Sequence, residues 1–174
     1  TSGTAAGLLV GSCLGGVFEK TQIMAVGISH GMLSNECLIR RTATEAYNEL
    51  KKLLKGSGVK LPKCNFKKSK KALFYTKDYF KPGYGESTPR VLESMKLIKK
   101  LENIKLDVTY SAKAFQFYLD FVNQKLRAGK SLPKMLFWLT YNSYDLNNII
   151  QNHPWRDSVN KWNELPSSFH HAFK

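Results

Sequence analysis

The chain has 174 residues, 43% of them apolar, long enough to bury one core and too apolar to be disordered by composition. Lysine and arginine number 27 against 13 acidic residues, a formal charge of +14, which raises nucleic acid as a partner; yet the densest basic run, residues 60–71, contains Pro62 and reads as a solvated connector without any nucleic-acid-binding motif. The three cysteines, Cys13, Cys37 and Cys64, are odd in number and show no metal-ligand spacing, which argues against a disulfide framework and a metal site and for a reducing, cytoplasmic compartment.

The chain opens on Thr1-Ser2-Gly3-Thr4-Ala5-Ala6-Gly7-Leu8-Leu9-Val10-Gly11, small residues running into an apolar helical pattern. A helix starting near Thr4 leaves its first N–H groups without intrahelical acceptors and with a partial positive charge, which suits an anion. Thr1, Ser2 and Thr4 add hydroxyl donors, so the stretch reads as a phosphate cradle. Gly7, Gly11 and Gly15 recur every four residues and give the helix one bare face, fit to lie against a sheet or a ligand. The apolar run from Ala5 to Phe18 is shorter than the ~18–20 residues a membrane span needs, and no signal-peptide pattern surrounds it. A strand should feed such a loop, so the chain is expected to be the C-terminal part of a longer protein.

Residues 22–29 (QIMAVGIS) form a short apolar run, as a buried parallel strand does. Residues 34–55 follow with helical spacing, Ile39, Ala43, Ala46, Leu50, Leu53 and Leu54 facing inward, Arg40, Arg41, Glu45, Lys51 and Lys52 facing solvent, and Gly56 closing the helix. Residues 72–76 (ALFYT) are a second strand candidate, followed by an aromatic turn, Gly83-Tyr84-Gly85. Ser87 or Thr88 then caps a helix over 89–102 with Val91, Met95, Leu97 and Ile98 inside. A third strand is expected over 106–110 (LDVTY), Ser111 capping a helix over 112–127, and a fourth strand over 134–140 (KMLFWLT). Alternating strands and helices predict an α/β fold: an open, mostly parallel sheet with helices on both faces, three layers in all, and a ligand at the carboxyl ends of the strands. Residues 1–144 make this domain and residues 145–174 a C-terminal extension of a short helix and a wrapping segment.

Four stretches taken together resemble one group of enzymes. They are Thr1-Ser2-Gly3-Thr4-Ala5-Ala6-Gly7-Leu8, Gly83-Tyr84-Gly85 with Thr88-Pro89, Leu106-Asp107 with Tyr110-Ser111-Ala112-Lys113-Ala114, and Leu136-Phe137 running to Thr140. In order and spacing they resemble the back half of the pyridoxal-phosphate enzymes of the tryptophan-synthase-β-like fold (fold type II), in the branch of 1-aminocyclopropane-1-carboxylate deaminase and D-cysteine desulfhydrase. The resemblance implies pyridoxal 5'-phosphate as cofactor, its phosphate held by Thr1, Ser2, Gly3 and Thr4. It implies Tyr84 and Tyr110 as the catalytic tyrosines at the substrate's amino-acid end, orienting its carboxylate, relaying protons or, with a lowered pKa, approaching the carbon that is cleaved. Ser111 and Thr140 match the positions that supply a partner to the pyridine nitrogen.

The deaminases of the branch carry an acidic residue where this chain has Ser111, so β-elimination of the D-cysteine desulfhydrase kind is favoured over ring opening. The Schiff-base lysine of the family lies upstream of the glycine loop, and no lysine of this chain, Lys113 included, is given that role. The expected activity is release of ammonia and a 2-oxo acid from a small amino acid, 1-aminocyclopropane-1-carboxylate or D-cysteine, with the isolated chain inactive. Expected partners are that substrate and, for the full-length protein, a second copy in a homodimer, with no nucleic acid and no membrane. Val108, Ala112, Tyr141 and Asn142 stand where the family carries smaller or more rigid residues. Of these, Ala112, Tyr141 and Asn142 favour the alternative, a catalytically inactive α/β remnant acting as a binding protein.

Overall fold

The computed structural model describes residues 2–67 and 71–140. Thr1, part of the basic run, Tyr141, Asn142 and the expected extension over 145–174 lie outside the described residues. Among the described residues the chain is a mixed α/β fold of four helices and a small, open, two-stranded parallel sheet. In order these are α1 (Gly3–Leu14), β1 (Ile23–Val26), α2 (Glu36–Leu53), β2 (Leu73–Thr76), α3 (Pro89–Glu102) and α4 (Ser111–Arg127). No helix among them is long and apolar enough to cross a membrane.

The sheet is one βαβ unit. Parallel strands need a crossover, and α2 supplies it. Ile23 pairs with Leu73 and Val26 with Thr76, and the Gly27 N–H extends the ladder to the Thr76 carbonyl at 2.7 Å. The pleat sends alternate side chains of β2 to different neighbours. Leu73 and Tyr75 join Ile23 and Ala25 in a first core with α1 and α2, while Phe74 stacks on Phe117 of α4 at 6.0 Å. Gly27 is needed where it stands: a Cβ there would meet the Tyr75 hydroxyl at 2.1 Å, and that hydroxyl reaches past it to the Ser34 carbonyl at 2.6 Å.

Local chemistry explains the helix starts. The Asn35 side chain accepts from the Leu38 N–H at 2.8 Å and begins α2; Thr88 does the same for Val91 at 3.3 Å, with Pro89 in the first turn of α3. The inner face of α2 is Ile39, Arg40, Ala43 and Tyr47, so Tyr47 takes the place expected for Leu53, which is 80% exposed. Arg40 is likewise not part of the solvated face. It is buried because Glu36 pairs with its guanidinium at 2.7 Å and the Phe66 carbonyl accepts from it at 2.6 Å, which satisfies the charge locally. On α3, Ser94 is buried and Leu97 is half exposed.

The basic run is anchored rather than free. Phe66 is buried between Phe18 and Tyr47, with ring centroids at 5.4 and 5.6 Å, and Leu61 and Cys64 pack on the same core. Cys64 forms a disulfide with Cys13 of α1, their Cα atoms 6.1 Å apart, a normal span for such a bond. Residues 51 apart in sequence leave no spacing signature, and the pairing removes the ground on which the cysteines suggested a reducing compartment.

The two later strand candidates are not strands. Residues 106–110 lead into a turn because Asp107 turns its carboxylate onto the amides of Tyr110 and Ser111, at 2.6 and 2.9 Å. Residues 134–140 are irregular, and Phe137 packs edge-on against Phe115 of α4 at 5.4 Å. Both segments serve a second core of α3 and α4 instead, with Val91, Ile98, Leu106, Ala112 and Phe115 buried in it. A polar cluster ties this core to the loop after β2: Asp120 of α4 accepts from Tyr79 at 2.9 Å, Arg90 of α3 at 2.6 Å and Gln116 at 3.0 Å. Burial, and then the bond to Asp120, push the Tyr79 phenol up to about 12.

Candidate functional site

The expected phosphate cradle is the mouth of α1. Ser2 stands at the N-cap, yet its side chain makes no capping bond, and the first turn holds no acidic residue. The Ala6 N–H is met by the Ser2 carbonyl at 3.0 Å; the amides of Gly3, Thr4 and Ala5 come before it and have no intrahelical carbonyl to bond. Ser2 is 7% exposed, and its hydroxyl oxygen is buried without a hydrogen-bond partner. A buried hydroxyl without a partner is an uncommon and unfavourable state. Gly3 and Thr4 are exposed, so the mouth is open. The glycine face lies elsewhere than expected: α1 packs through Ala6, Leu9, Val10 and Cys13, and a Cβ on Gly7 or Gly11 would meet nothing within 4 Å.

Tyr84 and Tyr110 are brought together. Their hydroxyls share a hydrogen bond, and their rings meet edge-on with centroids 5.9 Å apart. Tyr84 comes from the loop after β2, which passes through a cis Lys81–Pro82 bond and a left-handed Gly85 at φ 77°. Tyr110 stands at the start of α4. The rings are 60% and 49% exposed, so the pair forms an open wall. The hydrogen bond shared with Tyr84, with burial and the nearby Asp107 charge adding to it, holds the Tyr110 phenol above its ordinary value. That is the direction opposite to a tyrosinate, so at neutral pH Tyr110 is a proton donor.

Ser111 is already engaged. It is the first residue of α4 rather than its cap. Its hydroxyl donates to the Asp107 carboxylate and accepts from the Asp107 N–H at 2.8 Å. Burial would raise the Asp107 carboxyl, but the bonds from the Ser111 hydroxyl and from the amides of Ser111, Tyr110 and Thr109 outweigh it and hold it below its ordinary 3.8. Asp107→Ala is therefore expected to destabilise the chain by about 1–2 kcal/mol at neutral pH, the usual worth of such a cap. A carboxyl whose folded pKa is depressed stabilises above its unfolded value and loses that contribution as pH falls through the folded one. Urea denaturation should thus show the gap between wild type and variant closing as the pH is taken below about 4; a gap that persists there would contradict the carboxylate's role.

Thr140 is exposed at the end of the irregular segment, and Thr1 lies outside the described residues. The mouth of α1 belongs to the first core and the tyrosine pair borders the second. At the carboxyl ends of β1 and β2 there is also a cleft of about 680 Å³, bounded by Ser34, Asn35, Cys37, Tyr75, Thr76 and Asp78 among others, with none of the expected site residues in its wall.

Sequence reading missed one residue beside the tyrosines. Lys113, expected to be solvated, is fully buried. Its ammonium donates to the carbonyls of Phe80 at 3.1 Å and Gly83 at 2.7 Å. Burial lowers its pKa, while the nearby Glu86 acts in the opposite sense. Small neighbours on both sides, Ala112 and Ala114, were the one available signal. No protein-family model matches the chain.

Proposed function

We propose that the chain is the pyridoxal-phosphate-binding part of a fold type II deaminase or lyase that releases ammonia and a 2-oxo acid from a small amino acid. The fold agrees in kind: a parallel βαβ unit with α1 and α2 packed through Leu73 and Tyr75, and α4 packed against Phe74, is how an open sheet with helices on both faces begins. The observation that carries the reading is the partnerless buried hydroxyl of Ser2 at the start of α1, beside the first-turn amides of Gly3, Thr4 and Ala5 that a helix start leaves without an intrahelical acceptor, a donor set that fits a phosphate ester.

When bound, pyridoxal phosphate supplies an electron sink for the bond broken at the substrate's α carbon. Ser2 and the first-turn amides of α1 hold the phosphate and so fix one end of the ligand. Of the two hydroxyl protons of Tyr84 and Tyr110, one lies between the rings and the other is free to meet a substrate carboxylate. The raised Tyr110 phenol stays protonated at neutral pH, so the pair orients the carboxylate and relays a proton rather than attacking carbon. Asp107 holds the turn from which Tyr110 projects. The Schiff-base lysine is assigned to none of the lysines of this chain.

The test is an assay of the whole reading frame's product with added pyridoxal phosphate, D-cysteine and 1-aminocyclopropane-1-carboxylate. Release of ammonia and a 2-oxo acid from D-cysteine is the expected result; no release from either compound would overturn the enzymatic reading. A second reading, an inactive remnant that still binds, is favoured by one observation: the Ser111 hydroxyl is already held by Asp107, both as donor and as acceptor.

A further inference from the structure

We infer that Lys113 is a positioning residue for the tyrosine pair, fixing the loop that carries Tyr84 against the start of the helix that carries Tyr110. The inference rests on the proposed role of the pair as the substrate side of the site. Lys113 lies three residues beyond Tyr110, and the carbonyls it binds belong to Phe80 and Gly83, the latter immediately before Tyr84. One ammonium therefore links the two segments whose side chains meet. It is also the largest fully buried side chain among the described residues. A cation taken out of water is strongly unfavourable unless its donors are satisfied, so the carbonyls must come to it, and the turn is drawn down onto α4. Glu86 lies on the same turn: its side chain folds back over Gly83, where an added Cβ would meet its Oε1 at 2.7 Å.

The loop has a second, separate anchor in the bond from Tyr79 to Asp120. That anchor precedes Phe80, whose ring also meets His30 edge-on at 5.1 Å, and the stretch from Lys81 to Tyr84 lies beyond both. Lys113 reaches that stretch. Moving Tyr84 by an ångström relative to Tyr110 would leave the chain folded and the shared hydrogen bond broken, because both rings are half exposed and pack on little else.

Photo-oxidative dityrosine formation in the full chain reports the pair directly. The Tyr84–Tyr110 cross-linked peptide is quantified by mass spectrometry, without cofactor or substrate. Lys113→Met, one atom shorter and lacking both charge and donor, is expected to lower the yield about tenfold, with Lys113→Gln, of the same reach as methionine but still a donor, in between. Leu9→Ala, in the other core, destabilises the fold without touching the loop and should leave the yield near wild type. Should Lys113→Met fail to fold, the comparison of Lys113→Gln with wild type decides. A yield unchanged in the Lys113 variants, or lowered equally by Leu9→Ala, would overturn the inference. Because no cofactor is present, a Lys113-dependent cross-link together with a negative ammonia assay would leave the positioning role standing and remove the enzymatic reading.

Discussion

Gly3→Asp is expected to make the chain more stable and to weaken pyridoxine 5'-phosphate binding about a hundredfold. The two effects have one cause. Gly3 is the first residue of α1, and the first turn carries no acidic side chain, so the partial positive charge at this helix end is uncompensated within the helix. A carboxylate placed there interacts favourably with the helix end by about 0.3–1 kcal/mol, and replacing glycine in a helix adds to that. The same carboxylate stands about 5 Å from a phosphate seated on the amides, which at an effective dielectric near 20 is a repulsion of about 3 kcal/mol. Sterics do not confuse the result, because a Cβ at Gly3 meets nothing within 4 Å; Gly3→Ala is thus the neutral control. Pyridoxine 5'-phosphate is the suitable probe, since without an aldehyde it cannot react with the many surface lysines. Calorimetric titration and thermal melts on the three proteins read both quantities. Loss of stability in Gly3→Asp, or binding equal to that of Gly3→Ala, would show that no anion is held at this helix end.

Reduction of the Cys13–Cys64 bond is expected to destabilise the chain by about 4 kcal/mol. A cross-link between residues 51 apart closes a long loop, and the chain-entropy relation for a loop of that length gives this value at 25 °C. The structural meaning is local: the bond fastens the basic run to α1, with Phe66 and Leu61 packed on the same core. Urea denaturation with and without dithiothreitol measures the loss, and Cys64→Ala should reproduce it without reductant. Alkylation of the native protein should label Cys37 alone, the free and exposed thiol, and label Cys13 and Cys64 after reduction. Labelling of all three cysteines before reduction would contradict the bond.

What could be read from the chain followed the range of the interactions. The βαβ unit, α3 and α4 were legible because periodicity, caps and apolar runs are local signals: Thr88 sits where a capping residue must, and the 22–29 and 72–76 runs are short and bounded. The stretches 106–110 and 134–140 carry the same β-branched and aromatic residues, but an apolar run does not say whether it joins a ladder or packs on a helix. Here Asp107 takes the amides of residues 110 and 111, and Phe137 lies against Phe115, so each serves the α3–α4 core. The burial of Arg40 and Lys113 was illegible for a different reason. Apart from Glu36, one turn before Arg40, their partners are backbone carbonyls of Phe66, Phe80 and Gly83, atoms that every residue has. The meeting of Tyr84 with Tyr110 depended on a turn 26 residues away, visible only through the motifs around the two tyrosines.

The most direct measurement is a titration of the isotopically labelled chain with pyridoxine 5'-phosphate and, separately, with pyridoxine, followed through the backbone amide resonances. If α1 opens on a phosphate site, the amides of Gly3, Thr4 and Ala5 shift in a saturable way with the phosphate ester and stay still with pyridoxine. Shifts confined to the basic run over 60–71, or the same response to both compounds, would contradict it.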